Sequence, residues 1–260
     1  MRADLYLVER GAASSRTLAR KLIEAGVVSV DGRTIGKPSE DISEGQHDLT
    51  VGETCETRYV GRGGLKLEAA LDAFPVSVSG GSFADVGAST GGFTDCLLRR
   101  GAARVFAIDA GHGQLHPLLR EDERVRSAEG CNARTLSREL MRSFEPSGRT
   151  PSGDRFDGWV DGAVMDVSFI SQTLILPALT DVIRPGGWLI SLIKPQFECG
   201  AGALSRRGIV KDARDREAAV RRVQESAAAC GLEPRGLIPS PIEGGDGNRE
   251  YMAYFIRQEK

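Results

Sequence analysis

Along the first sixty residues the apolar positions fall in two short helical runs, then in brief extended patches. Leu5–Arg10 and Ser15–Ala25 read as helices, and in the second Leu18, Ala19, Leu22 and Ile23 recur at helical spacing. Ser14 or Ser15 supplies its N-terminal cap and Gly26 ends it. Val27–Val30 is a short strand, Asp31-Gly32 a tight-turn dipeptide, and Leu49–Val51 another strand. Two helices and a small β element are too little chain to build an enzyme.

From about Phe83 the pattern changes to strands alternating with helices. Phe83–Val86, Val105–Ile108, Val160–Met165, Trp188–Ile193 and Tyr251–Ile256 are apolar runs of strand length. Between them Thr94–Arg100 (closed by Gly101), Leu174–Val182 and Ala213–Cys230 have helical character, and Pro185-Gly186-Gly187 reads as a turn before its strand. Met141–Asp157 is rich in Ser, Gly, Pro and charge and reads as a mobile loop. The alternation predicts an α/β fold: a mostly parallel sheet with helices on both faces.

Composition narrows the class. The chain has 260 residues, 40% of them hydrophobic, enough for a real core with a small appendage. Its net charge of −2 says nothing of nucleic acid, but the distribution does. Arg10 to Lys37 holds six bases against two acids, and Pro38 to Thr57 holds six acids and no base. A basic patch can therefore sit on an acidic chain. Cys55, Cys96, Cys131, Cys199 and Cys230 are odd in number, scattered and without metal-ligand spacing, the usage of free thiols in a reducing compartment. The N-terminus lacks the apolar core of a secretory signal, and no apolar run approaches membrane-spanning length. The expectation is a cytoplasmic protein with no membrane role and no obligate protein partner.

The chemistry begins at Asp85-Val-Gly-Ala-Ser-Thr-Gly-Gly-Phe93, a strand end passing through small residues into a helix. Glycines there let the backbone approach a ligand at the carboxyl edge of a parallel sheet. The next strand ends in Asp109, 22 residues after Gly87, where an acid is placed to grip ribose hydroxyls. The pair rejects a plain turn but leaves both a nicotinamide dinucleotide and S-adenosylmethionine open. The spacing Gly-x-x-x-Gly-Gly lacks the pyrophosphate-cradling pattern and favours the methyl donor. Asp166 and Lys194 end adjacent strands, Lys66 opens a helix after Gly61-Arg-Gly-Gly64, and Glu250 precedes the last strand. Strand tips on the carboxyl edge face one crevice, so Asp166 and Lys194 belong beside the cofactor loop. Methyl transfer to a ribose hydroxyl needs a group to remove the hydroxyl proton. A lysine serves only where burial or a second cation favours its neutral form, a part Lys66 could play, while Asp166 and Glu250 would act by position.

With these segments in view the chain resembles the TlyA family, described both as haemolysins and as ribosomal RNA 2′-O-methyltransferases. The resemblance rests on Ser15-Arg16-Thr17, Leu22-Ile23-x-x-Gly26-x-Val28-x-Val30-x-Gly32 and Tyr59-Val60-x-Arg62-Gly63-Gly64-x-Lys66-Leu67. It continues through the Asp85–Asp95 loop, Asp166–Ser171, Lys194–Glu198, Gly208–Asp212 and Ser240-Pro-x-x-Gly-x-x-Gly-Asn-x-Glu250, in order along nearly the whole chain. It implies an S4-type RNA-binding domain over 1–58, a linker over 59–64, and an FtsJ-type, class I Rossmann-like methyltransferase domain with a seven-stranded sheet over 65–260. It implies S-adenosylmethionine as cofactor, held by Asp85, Gly87, Ala88, Ser89, Thr90, Gly91, Gly92, Phe93, Asp109, Asn132 and Asp166. The family's catalytic tetrad maps onto Lys66, Asp166, Lys194 and Glu250, with Lys194 as candidate base, and the implied substrate is a cytidine ribose in ribosomal RNA or a ribosomal subunit. Arg16, Arg20, Lys21 and Arg62 are the expected RNA contacts, through phosphates rather than bases. The front domain holds only Tyr6 with Tyr59 at its edge, too few aromatics for recognition by stacking. Two features depart from the family: Cys199 stands where small residues are usual, and 141–157 is longer than the fold needs.

Three rival readings remain on sequence grounds: a membrane-acting haemolysin, a non-catalytic RNA-binding assembly factor that keeps the pocket, and a nicotinamide dehydrogenase. The first is opposed by the missing span and amphipathic basic helix, the second by an intact tetrad, the third by the glycine spacing.

Overall fold

The computed structural model describes residues 1–13, 15–43, 45, 47–52, 58–244 and 247–259. Ser14, one of the two cap candidates, and Cys55 lie outside the described residues. The chain divides into two compact units, Met1–Arg58 and Tyr59–Lys260.

The first unit runs α1 (Ala3–Glu9), α2 (Arg16–Glu24), β1 (Val28–Val30), β2 (Arg33–Thr34) and β3 (Leu49–Val51). Ser15 caps α2, its Oγ accepting from the Leu18 amide at 3.2 Å. Asp31 and Gly32 both take positive φ (51° and 77°) and turn β1 into β2, a short pairing the apolar pattern does not mark. The antiparallel order is β2-β1-β3. Leu7, Leu22, Ile23, Val28 and Ile35 close a core of the unit's own.

The second unit opens with α3 (Gly63–Ala73) and alternates β4 (Ser82–Val86), α4 (Gly92–Arg99), β5 (Arg104–Asp109), α5 (Pro117–Arg120), β6 (Val125–Glu129), α6 (Arg138–Ser143) and β7 (Val160–Met165). It continues through α7 (Leu176–Val182), β8 (Ile183–Ile193), α8 (Pro195–Glu198), α9 (Ala213–Ala229), β9 (Leu232–Pro239) and β10 (Tyr251–Arg257). The sheet order is β6-β5-β4-β7-β8-β10-β9, parallel except where β10 meets its two neighbours. This is the expected mostly parallel seven-stranded architecture. Alternate residues of each strand feed opposite faces. Ala84, Phe106, Met165 and Leu189 pack under α7 and α9, whereas Phe83, Val105, Val164 and Ile190 pack under α3 and α4.

Four expectations change. Residues 59–64, read as a linker, belong to the second unit: Tyr59 is buried in its core, the Val60 amide donates to Asp95 Oδ2 at 2.9 Å, and α3 begins at Gly63. The turn at 185–187 is a bulge inside β8. Ile183 already faces Val160 and Trp188 faces Gly162, so the residues between loop out, with Gly186 at φ +75°. The edge strands β6 and β9 went unread because an edge strand packs on one side only and tolerates charge and proline. The 141–157 segment is fastened to the core. Phe156 stacks on Phe106 at 5.2 Å, and buried Glu145 binds Arg104 at 3.0 Å and Arg126 at 3.2 Å. A backbone bond from the Thr150 amide to the Asp154 carbonyl (2.7 Å) closes the segment's tip.

Candidate active site

The carboxyl ends of β4, β5, β7 and β8 share one edge of the sheet because these strands are parallel. The loop leaving β4 needs glycine at its first bend. Gly87 sits at φ +83°, and a Cβ there would lie 2.4 Å from the Asp166 carbonyl oxygen, so any side chain would push β4 and β7 apart. Asp109 fixes the same loop: its Oδ2 accepts from the Ser89 amide and its Oδ1 from the Gly111 amide, both at 2.7 Å. Ser89 is held at φ +49°.

Two adjoining cavities open on this edge. One, of about 400 Å³, is lined by Asp109, Asn132, Cys131, Val167, Ile170 and Ile175 among others. The second, of about 310 Å³, is lined by Ala88, Thr90, Gly92, Phe93, Arg62, Lys66 and Lys194 among others. Gly87, Ser89, Asp166 and Ser168 border both. Gly91 lies off the walls, packed on Leu119, and Asp85 lies behind the loop.

The four tetrad positions come together as two ion pairs. Lys194 Nζ lies 2.6 Å from Asp166 Oδ1 and donates to Ser168 Oγ at 2.7 Å. Lys66, in the first turn of α3, donates to Glu250 Oε2 at 2.5 Å. Lys66, Asp166 and Lys194 line the smaller cavity, while Glu250 is buried behind Lys66. Lys66 thus reaches the cavity already matched by a carboxylate and not as the bare second cation expected from the sequence.

Asp85 is the buried charge of the site. Thr94 Oγ1 donates to its Oδ2 at 2.6 Å, and its Oδ1 has no hydrogen-bond partner. Burial, reinforced by the nearby Asp166 and Asp109, pushes its carboxyl up to about 7. A cradle of small residues, an acid at the tip of β5 and an unmatched buried carboxyl suit an adenosine-bearing cofactor that carries positive charge.

In the first unit Arg16 and Arg20 are exposed on α2, as expected, but both reach back to Asp4. Arg16 Nη2 lies 3.1 Å and Arg20 Nε 3.4 Å from Asp4 Oδ2, and Arg2 Nε lies 3.0 Å from Oδ1. Arg2 and Arg16 hold the Asp4 carboxyl well below the usual range. Lys21 is exposed on the same helix. Sequence reasoning missed Arg2, Asp4, Ser168 and Thr94. Ser168 stood within the Asp166–Ser171 segment and was findable. The Asp4 cluster joins residues twelve and sixteen apart across a turn and left no local signal.

Among the described residues no group of three or more His, Cys, Asp or Glu is arranged to hold a metal, and no helix is long and apolar enough to cross a membrane.

The sheet order and the crevice at its carboxyl edge define a class I methyltransferase unit, here preceded by a small α+β unit. The profile of the FtsJ-like methyltransferases matches residues 59–257 and that of the S4 domain residues 1–48. Relatives align end to end. The 16S/23S rRNA (cytidine-2′-O)-methyltransferase TlyA of Mycobacterium tuberculosis is 41% identical, over 99% of this chain and 90% of its own. Hemolysin A of Brachyspira hyodysenteriae is 38% identical, over 98% and 100%. A solved Streptococcus thermophilus structure, described as a hemolysin, superposes with a TM-score of 0.71 at 39% identity, covering 100% of this chain and 89% of that one. The chain belongs to the FtsJ-like methyltransferase family and, within it, to the S4-bearing TlyA group.

Proposed function

We propose that this protein transfers a methyl group from S-adenosylmethionine to the 2′-hydroxyl of a cytidine ribose in ribosomal RNA, acting on ribosomal subunits or their RNA in the cytoplasm. The observation that carries the reading is the convergence of Lys66, Asp166 and Lys194 on one cavity that opens into the Asp109 crevice. The name of the M. tuberculosis relative supports the nucleotide and the substrate.

Asp109 and Asn132 would hold the adenosine part of the cofactor, and the Gly87–Phe93 loop with Asp166 its charged end, which Asp85 would favour by its charge from behind the loop. When bound, the cofactor supplies a methyl group activated by a positively charged sulfur. Lys194 would be the base: once its ammonium has lost a proton to solvent, the amine between Asp166 and Ser168 would take the proton of the ribose hydroxyl as that oxygen accepts the methyl group. The Lys66–Glu250 pair would fix the start of α3 and with it the part of the cavity wall that Lys66 forms. Arg16, Arg20 and Lys21 on the S4 domain, with Arg62 at the cavity, contact RNA phosphates.

Lys194→Ala tests the mechanism. Transfer to ribosomal RNA should fall by roughly 10²–10⁴-fold, the usual worth of a positioned base. Cofactor affinity by titration calorimetry should stay within about two-fold, because Lys194 is not among the residues that hold the cofactor and the Asp109 cavity for its adenosine part lacks it. Full activity in this variant would overturn the assignment.

A further inference from the structure

The run from Leu204 to Arg216 lines neither cavity but, in charge balance, is the most basic stretch near the loop of Glu250. It holds five bases (Arg206, Arg207, Lys211, Arg214, Arg216) against two acids (Asp212, Asp215) in a chain whose net charge is −2. The structure folds its first half into a tight hairpin. Leu204 and Val210 pair antiparallel, the Ser205 amide donates to the Ile209 carbonyl at 2.9 Å, and the Gly208 amide donates to the Ser205 carbonyl at 2.9 Å. Ser205 Oγ accepts from the Arg207 and Ile209 amides. Arg206 and Arg207 therefore occupy the two central positions of the turn, both exposed, and neither makes an ion pair among the described residues.

The hairpin is tied to the segment that leads into Glu250. Asn248, buried, accepts from the Val210 amide through Oδ1 and donates to the Gly208 carbonyl through Nδ2, each at 3.1 Å. Arg216 Nη1 donates to the Val210 and Lys211 carbonyls at 3.0 and 2.9 Å. Asn248 lies two residues before Glu250, the partner of Lys66, and its carbonyl accepts from the Gly244 amide at 3.0 Å, next to Ile242 and Glu243 of the smaller cavity. Two exposed guanidinium groups are thus carried on a turn whose backbone is pinned, through Asn248, to the chain two residues before Glu250. No aromatic residue stands between Ala201 and Glu250 to stack on a base. Exposed guanidinium groups without an ion-pair partner suit phosphate oxygens.

We propose that the hairpin Leu204–Val210 is an RNA-backbone clamp at the mouth of the active site, with Arg206 and Arg207 holding phosphates of the strand that presents the methylated ribose. The proposal rests on RNA being the substrate. Asn248 is its positioning residue, joining the clamp to the loop of Glu250.

The test uses the full chain, wild type and R206A/R207A, with a protein-free ribosomal RNA fragment and with ribosomal subunits. Dissociation constants are measured across a salt series, alongside methylation rates and cofactor affinity. Losing two phosphate contacts should flatten the slope of log affinity against log salt by about 1.4, at roughly 0.7 per contact on single-stranded RNA. RNA affinity at moderate salt should fall about ten-fold or more with cofactor affinity unchanged, and R206K/R207K should keep most of the slope. An unchanged slope in the alanine variant overturns the clamp even if wild type methylates normally. A loss confined to assembled subunits and absent on protein-free RNA also overturns it, in favour of an acidic ribosomal protein. If wild type binds RNA with the steeper slope yet transfers no methyl group, the activity reading fails and the clamp stands.

Discussion

Asp85 sits in β4 with no access to water, one oxygen bound by Thr94 and the other unbound. Its folded value of about 7 against an ordinary 3.8 fixes a sign. Between those two pH values the unfolded chain has released a proton that the folded chain keeps, so stability falls as pH rises across that window and is level above it. At pH 8 the ionised carboxyl costs at most about 4 kcal/mol, at 1.36 kcal/mol per tenfold change in proton affinity. Asp85→Asn is therefore expected to raise stability in urea unfolding at pH 8 and to leave it nearly unchanged at pH 3, where both states of the wild type are protonated. The same change should weaken cofactor binding, since a positive ligand favours the ionised carboxyl that Asn cannot supply. A variant that gains no more over wild type at pH 8 than at pH 3 would overturn this reading of Asp85. At this scale the sequence marked Asp85 as a motif acid, because a strand followed by glycines is a local pattern. It could not mark the acid as desolvated, because its burial comes from helices packed on the sheet. Lys194 and Asp166 were legible as neighbours because adjacent parallel strands end together. The Lys66–Glu250 bond spans 184 positions and shows only in the fold.

Among the elements, the segment after α6 behaves unlike its composition. Ser, Gly and Pro suggest loose chain, yet its two ends carry groups that belong inside. Glu145 is 3% exposed and sits between Arg104 and Arg126, both set on neighbouring strands of the sheet edge. Removing the carboxylate leaves two guanidinium groups partly buried without it, a change that typically costs about 3–5 kcal/mol. Glu145→Ala should lose about 3 kcal/mol in urea unfolding, since Arg126 is 24% exposed and recovers some water. Phe156→Ala, which opens a cavity against Phe106, should lose a similar 3–5 kcal/mol. A loss below about 1 kcal/mol in both would mean the segment is not part of the core. The pattern failed here because the anchoring side chains after α6, Phe144, Glu145 and Phe156, are too irregularly spaced to leave a periodicity. It failed at β9 for another reason: Pro234 and Pro239 interrupt the run, and an edge strand accepts them because one side needs no ladder. The central strands β4, β5, β7 and β8 were readable because both faces are buried and their sequence is almost continuously apolar.

For the whole molecule, the two units differ in what each supplies. The second holds both ion pairs and its own two-faced core, and among the described residues every one that lines its two cavities follows Tyr59. The first has a separate core and a cluster of three arginines ordered by Asp4. A chain with a sequence pI near 6.0 gains nothing from overall charge in meeting RNA, so affinity must come from such local clusters. The 59–260 fragment is therefore expected to unfold as one cooperative transition and to bind cofactor as the full chain does, by calorimetry in both cases. Its methylation of ribosomal subunits should drop by 10²-fold or more when assayed at RNA concentrations near the full chain's dissociation constant, and the drop should shrink as RNA concentration is raised, because what is lost is capture and not chemistry. A fragment as active as the full chain at every RNA concentration would mean that the S4 domain does not hold the substrate. A fragment that captures RNA normally but fails at saturation would mean that the first unit acts on the catalytic step itself.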